Sequence, residues 1–363
     1  MKRKERYAQM QKVLLGWFAE HARDLPWRRT RDPYTIWVSE IMLQQTRVQA
    51  VVPYYQRFLE RFPTVETLAR ARIDTVLKLW EGLGYYSRAR NLHAAAKKIV
   101  ARFDGHLPTT REELLTLPGI GRYTAGAIAS IAFGKREPVV DGNVTRVLCR
   151  IFRIEGGPKD IAIQKRIWTI AEELVPEGHA GQFNQAMMEL GSEVCRPRRP
   201  RCHECPVSQV CGARLHNEQD SLPTRVPKKQ LPCYTVAVGV IYRDGRILID
   251  KRKPEGLLGG LWEFPGGKKR RGESLEAALR REVREELAIS IRVGPLLAVV
   301  GHAYSHFRVH IHAFECTYLS GEPRCIACDD FKWVRPSDLG RYAFPAANHK
   351  IIEILRSQNG QRS

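Results

Sequence analysis

The sequence predicts an all-α domain followed by an α+β domain, and three observations carry that expectation. The chain has 363 residues, more than a single hydrophobic core of ordinary size serves. Its apolar residues recur at helical period over roughly the first two hundred residues and at strand period further on. Between the two lies a stretch, 216–232, that carries Pro223, Pro227, Pro232, Lys228 and Lys229 and few apolar side chains, the composition of a linker. The expected division is 1–215, a linker at 216–232, and 233–363.

In the first part, Val48, Val51, Val52, Tyr55, Phe58 and Leu59 fall along one helical face. Gly, Pro and Asp then punctuate at Phe62-Pro63, Gly82 and Gly84, Asp104-Gly105, Leu117-Pro118-Gly119 and Gly156-Gly157-Pro158. These breaks predict helices of roughly 10–20 residues joined by short turns. Beyond the linker, the Val-rich run Tyr234 to Ile241, the turn Arg243-Asp244-Gly245 and the run Arg246 to Ile249 read as a hairpin. A charged helix is expected from Leu275 to Leu287, with strands at Val299 to Ala303 and Phe307 to Tyr318.

Hydrophobic residues at 43% and charged residues at 27% exclude wholesale disorder. Lys plus Arg number 59 against 39 Asp plus Glu, a net charge of +20, which calls for a polyanionic partner, nucleic acid or an anionic membrane surface. No apolar run approaches the roughly 18 residues of a membrane span. Met1-Lys2-Arg3-Lys4-Glu5 has no apolar stretch behind its charges, so a cytoplasmic address is expected (nucleoid-associated in a bacterium) rather than a secreted one. In such a reducing setting the nine cysteines are expected as thiols or metal ligands, not disulfides.

Cys195, Cys202, Cys205 and Cys211 form a C-x6-C-x2-C-x5-C cluster. Thiolates grouped this closely repel one another, and a bound cation offsets the repulsion. A four-cysteine iron–sulfur cluster tolerates this uneven spacing, whereas zinc modules usually present two close pairs; zinc stays as the alternative. The intervening loop holds four arginines in six residues, Arg196, Arg198, Arg199 and Arg201, suited to phosphate contacts. A solvated basic loop is the plainer alternative. Cys325 and Cys328 form an isolated C-x2-C to which no role is given.

Leu117-Pro118-Gly119-Ile120-Gly121 precedes a helix start at Thr124. Glycines there permit close backbone approach, and the exposed amides of the helix N-terminus attract a phosphate. Two carboxylates stand out. Glu40 sits among Ile36, Trp37, Val38, Ile41, Met42 and Leu43, where burial would raise its pKa towards that of a general acid. Asp141 follows Val139-Val140 and opens Asp141-Gly142-Asn143-Val144. From the residues alone, Asp141 is also a simple helix N-cap and Glu40 a solvated helix residue.

The string Ser39-Glu40-Ile41-Met42-Leu43-Gln44-Gln45-Thr46, the stretch Gly82-Leu83-Gly84-Tyr85-Tyr86-Ser87-Arg88, the glycine turn and the cysteine cluster together resemble the helix-hairpin-helix DNA glycosylases with an iron–sulfur cluster. Within them the resemblance is to the MutY-type adenine glycosylases, and it covers nearly the whole chain. It implies a helix-hairpin-helix domain with a [4Fe–4S] cluster on Cys195, Cys202, Cys205 and Cys211, and removal of adenine opposite 8-oxoguanine in double-stranded DNA, with guanine opposite left open. Glu40 would protonate adenine and Asp141 stabilise the sugar cation, a two-carboxylate solution shared with glycoside hydrolysis. Tyr123 and Asn143 would support them. Trp27, Arg28, Leu43, Val48 and Gln185 would line the adenine pocket. Gln45, Thr46 and Leu83 would contact the opposite base, Tyr85 would wedge beside it, and Gly119 and Gly121 would meet the backbone. Lyase relatives place a nucleophilic lysine just after the hairpin; here Gly121-Arg122-Tyr123-Thr124 offers no amine, which implies base removal without strand cleavage. A monomer on DNA is the expected state.

The second half carries Gly267-x5-Glu273-x7-Arg281-Glu282-Val283-x-Glu285-Glu286-x2-Ile289, close to a complete Nudix box except for Ala288 in place of the usual Gly. Glu282, Glu285 and Glu286 share one helical face and could hold Mg²⁺ against a diphosphate; a charged surface helix is the alternative. The resemblance implies instead an α+β Nudix-like domain whose Tyr304-Ser305-His306 reads 8-oxoguanine. Two competing readings remain: a Mg²⁺-dependent hydrolase of oxidised nucleotides, alone or beside the glycosylase, and a non-enzymatic iron–sulfur DNA-binding module.

Overall fold

The computed structural model describes residues 3–224, 230–304 and 306–361. Ser305, expected to read the lesion, lies outside the described residues. Contacts group the chain into two compact units, Met1–Arg70 with Asn91–Lys228, and Ala71–Arg90 with Lys229–Ser363. Among the described residues no helix is long and apolar enough to cross a membrane.

The first unit is helical: α1 (Arg3–His21), α2 (Pro33–Leu43), α3 (Val48–Arg61) and α4 (Val65–Arg70), then most of α6 (Ser87–Arg102), α7 (Arg111–Leu115), α8 (Arg122–Ile131), α9 (Gly142–Ile151), α10 (Ile161–Leu174), α11 (Ala180–Glu189) and α12 (Gly212–Leu215). The helix α5 (Ile73–Trp80) and the loop after it belong to the second unit. Local chemistry sets the starts that matter. Asp32 caps α2 by accepting the Thr35 N–H at 2.9 Å, with Pro33 in the first turn. Every residue from Ile36 to Met42 is then buried, so α2 is a core helix and Glu40 is buried with it. Met10, Leu14, Val147, Leu148, Phe183 and Met187 form one apolar core under α1, α9 and α11. α11 runs on into a π-helical turn, Leu190–Val194. A Cβ on Gly191 would lie 2.6 Å from that of Asn143, so only glycine lets this turn press against the start of α9.

The second unit holds a seven-stranded mixed sheet in the order β3-β2-β1-β6-β5, with β4 on β1 and β7 on β2. The strands are β1 (Cys233–Arg243), β2 (Arg246–Arg252), β3 (Trp262–Glu263), β4 (Gly266–Lys268), β5 (Ser290–Ala303), β6 (Arg308–Ser320) and β7 (Cys328–Val334). β1 and β6 are parallel, with Ala237 opposite His312. Asp244 and Gly245 both take positive φ, 49° and 70°, the backbone of a tight hairpin turn. α13 (Leu275–Leu287) packs Leu279, Val283 and Leu287 on Ala237, Ile241 and Phe314. α14 (Ala346–Gln361) packs Ile351, Ile352 and Leu355 among Val238, Val240 and Val300. The sheet is therefore covered by a helix on each face, an α+β layer as the sequence predicts.

One strand runs much further than its sequence signal. β5 begins at Ser290 rather than Val299 because its register slips between Val293 and Leu296, where Gly294 and Pro295 mask the alternation. An edge strand tolerates that proline, since no neighbour needs its missing N–H.

Candidate active site

In the first unit a cavity of about 150 Å³ opens between α2, α3, α8, α9 and α11. Trp27, Arg28, Leu43, Val48 and Gln185, the expected base-pocket residues, all line it, together with Glu40, Tyr123, Asp141 and Asn143. Thr46 lines it too, although the sequence reading gives it to the opposite base. Residues distant in sequence thus meet as the chemistry requires.

The two carboxylates are held differently. Glu40 is 4% exposed, and the Tyr123 hydroxyl donates to its Oε2 at 2.7 Å. Burial, reinforced by the charge of Asp141, pushes Glu40 up to about 7 against the opposing pull of Tyr123 and Arg28. Burial raises Asp141 as well, above its usual range, against the opposing pull of the Val144 N–H, the Asn143 side chain and Arg146. Its Oδ1 accepts from Val144 N at 2.7 Å and its Oδ2 from Asn143 Nδ2 at 2.9 Å. Asp141 is therefore an N-cap, as its residue context suggests, and a pocket carboxylate as well. Arg146 donates to Asn143 Oδ1 at 2.9 Å, Gly191 O at 2.6 Å and Cys195 O at 2.8 Å. A chain of bonds thus links the first cluster cysteine to Asp141.

Sequence reasoning misses Arg23, Glu189 and Ser192 in the pocket wall. Glu189 is 1% exposed. Burial works against its charge, but Arg23 and Arg28 overcome that and hold its carboxyl at about 2. Arg23 Nε and Nη2 each reach it at 2.7 Å, and Arg28 Nη2 at 2.8 Å. The signal was present: Glu189 lies four residues beyond Gln185 and shares its helical face.

Cys195, Cys202, Cys205 and Cys211 line one small cavity with Arg150 and Arg214. Arg150 is 2% exposed and donates to Cys195 Sγ at 3.3 Å and Arg196 O at 2.8 Å. Four convergent thiols with a buried guanidinium against them suit an anionic thiolate-bound cluster. Among the described residues no three His, Cys, Asp or Glu side chains close on a single ion. Arg196, Arg198 and Arg199 are exposed on the loop that the cysteines bracket. Gly119 takes φ +76° and Gly121 caps α8 in extended geometry, so the glycine turn exposes the helix start.

In the second unit Leu83 is buried at 7% and Tyr85 is 36% exposed. Gln45, in the first unit, is exposed with φ 57°. Tyr304 is half-buried against Phe307 and His302, with ring centroids 4.9 and 4.5 Å apart, and His306 is exposed. The Nudix-like helix engages its own carboxylates. Arg281 bonds Glu273 and Glu282 at 2.8 and 2.7 Å and Glu285 at 3.1 Å. Glu282 and Glu285, expected as Mg²⁺ ligands with Glu286, are ion-paired with Arg281, while burial and the charges of Glu263 and Glu282 push Glu286 up to about 8. Ala288 takes the left-handed conformation, φ 59°, which explains why that position suits glycine.

Residues 38–173 match the family model of the HhH-GPD superfamily of base excision DNA repair proteins, and 236–354 match that of the NUDIX domain. The adenine DNA glycosylase of Homo sapiens is 36% identical over 95% of this chain and 73% of its own length. That of Buchnera aphidicola (subspecies Acyrthosiphon pisum) is 36% identical over 83% of this chain and 84% of its own. A thermostable thymine-DNA glycosylase structure is similar at 32% identity and TM-score 0.54, covering 59% of this chain and 98% of that one. An endonuclease III–DNA complex shares the fold at TM-score 0.52 and 22% identity, over 60% of this chain and 99% of that one.

Proposed function

The chain belongs to the MutY-type adenine DNA glycosylases, and from that premise we propose that it flips adenine out of duplex DNA and hydrolyses its glycosidic bond where 8-oxoguanine stands opposite. The observation that carries the reading is the asymmetry of one pocket: a buried carboxyl lifted to about 7 facing a carboxylate cradled by amide donors. Environments that push two carboxyls apart assign the acid and the base form.

Protonated Glu40 gives its proton to adenine N7, and the C1′–N9 electron pair leaves with the base. Asp141, ionised, stabilises the sugar cation; the Asn143 side chain and the Val144 N–H hold its carboxylate in place. Water then adds at C1′ and loses its proton to the Glu40 carboxylate, which restores the acid. Trp27, Arg28, Leu43, Val48 and Gln185 would receive the flipped base. Tyr123 stands where a lyase keeps its amine, so the product is an abasic site on an uncut strand. Cys195, Cys202, Cys205 and Cys211 would hold a [4Fe–4S] cluster, which when bound would anchor the arginine loop on the phosphates. The second half is assigned to reading 8-oxoguanine through Tyr304, Ser305 and His306, on the likeness of that loop to the family's.

The test is a labelled duplex with one adenine opposite 8-oxoguanine, treated with wild type or Glu40→Gln and assayed before and after hot alkali. Alkali-dependent cleavage at the adenine, lost in Glu40→Gln, is expected. Cleavage without alkali would overturn the role of Tyr123, and undiminished cleavage by Glu40→Gln would overturn that of Glu40.

A further inference from the structure

The loop 82–86 is braced from within. Trp80 Nε1 donates to Gly84 O at 3.2 Å, Gly82 N to the Tyr86 hydroxyl at 3.1 Å, and Arg88 Nη2 to Gly84 O at 3.0 Å. Gly82 and Gly84 take φ 91° and 77°, and Tyr85 takes 49°, so the loop is a tight, preformed display of one half-exposed aromatic ring. Its stem is tied to the sheet-bearing part of the same unit. Phe344 N donates to Glu81 Oε1 at 2.8 Å, and His349 Nε2 meets the same oxygen at 3.1 Å. Lys78 pairs with the other carboxylate oxygen and donates to Tyr342 O at 2.9 Å. Around this point Asp74 pairs with Lys251 at 2.7 Å and Arg90 donates to Gly259 O at 2.5 Å. Gly260 packs against Leu77, whose Cδ1 would be 3.1 Å from an added Cβ. Burial would raise the Glu81 carboxyl, but His349, Lys78 and the Phe344 N–H together bring it below its usual range.

We propose that Glu81 is a positioning residue for opposite-base reading: held by Phe344 N–H and His349, its carboxylate fixes the 82–86 loop to the body that carries Tyr304 and His306. Leu83, Tyr85, Tyr304 and His306 all belong to that one compact unit. This rests on the proposed reading that these side chains meet the base opposite adenine. A charged acceptor that satisfies a backbone amide and two side chains is worth more than an ordinary hydrogen bond. Its loss removes the tie from the stem to Phe344 and His349, and Glu81 does not line the pocket of the first unit.

The experiment measures single-turnover adenine excision opposite 8-oxoguanine and opposite guanine, for wild type, Glu81→Ala, Glu81→Gln, His349→Ala and Tyr85→Ala. The readout is the ratio of the two rates, which a general loss of active protein does not move. Glu81→Ala should lower the ratio on the order of tenfold, the effect of one charged hydrogen bond. Glu81→Gln, which keeps an acceptor for Phe344 N–H, should retain more of it. His349→Ala, at a partly exposed partner, should fall between and serves if Glu81→Ala does not fold. Equal slowing on both duplexes in Glu81→Ala and His349→Ala, or no change, would overturn the role of Glu81. Failure of the underlying reading has another signature: a wild type without preference, or a Tyr85→Ala variant that keeps the wild-type ratio.

Discussion

Each unit sets carboxylates beside arginines, yet the two sites differ in what the arrangement leaves free. In the first unit Glu40 and Asp141 face a cavity, and the nearby guanidiniums of Arg23 and Arg28 are consumed by a third carboxylate, Glu189. In the second, Arg281 is spent on Glu273, Glu282 and Glu285 themselves. Burial and neighbouring charge also lift Glu286 to about 8 and Asp250 well above its usual range. A raised pKa is therefore not enough to mark a catalytic acid. What separates Glu40 is an open pocket before it, a hydroxyl that orients it, and a partner carboxyl group held by two amide donors.

Four substitutions test this contrast. The largest effect is expected from Glu40→Gln, which removes the transferable proton and should cost about 10²–10⁴ in single-turnover excision, the range of general-acid catalysis. It should also remove a pH dependence of stability. Glu40 titrates near 4.5 when unfolded and about 7 when folded, so its contribution is fully present below 4.5 and is lost as pH rises through 7. Urea unfolding at several pH values should show that decline in wild type and not in the variant.

Next comes Glu189→Ala, which leaves Arg23 and Arg28 without their buried partner and should destabilise the first unit by about 3–5 kcal/mol, read by urea unfolding. Ala288→Gly relieves a left-handed alanine at the end of α13 and should stabilise the second unit by roughly 1 kcal/mol, read the same way. Last, Glu285→Gln should leave adenine excision within about twofold of wild type, as a surface change away from chemistry does. If that variant abolished a Mg²⁺-stimulated hydrolysis of an oxidised nucleoside triphosphate in the wild type, the contrast between the units would be wrong.

Much of this was legible in the sequence because the relevant signals are local. Asp32 and Pro33 announce α2, the change of period announces the sheet, and the spacing of the Nudix-like helix fixes α13 from Leu275 to Leu287. The pocket was legible through resemblance, which groups Trp27, Glu40, Asp141 and Gln185 as the structure does. The helical face of Gln185 points to Glu189, but its pairing with Arg23 and Arg28 depends on contacts between segments far apart in sequence. The attachment of Glu81 to Phe344 and His349 escaped for the same reason, since more than two hundred and sixty residues separate the partners. The self-pairing of Arg281 could be suspected from its i,i+4 spacing to Glu285, but only geometry shows that it also takes Glu273 and Glu282.

The most direct test of the account is the pH dependence of single-turnover adenine excision, in wild type and in Tyr123→Phe. Glu40 must be protonated to act, so the wild-type rate should fall towards tenfold per pH unit above about 7. Removing the Tyr123 hydroxyl deletes a bond that favours the carboxylate, so the falling limb should move to higher pH. A wild-type rate that stays level from about pH 6 to about pH 9, with Glu40→Gln still inactive, would contradict the assignment of Glu40 as the proton donor.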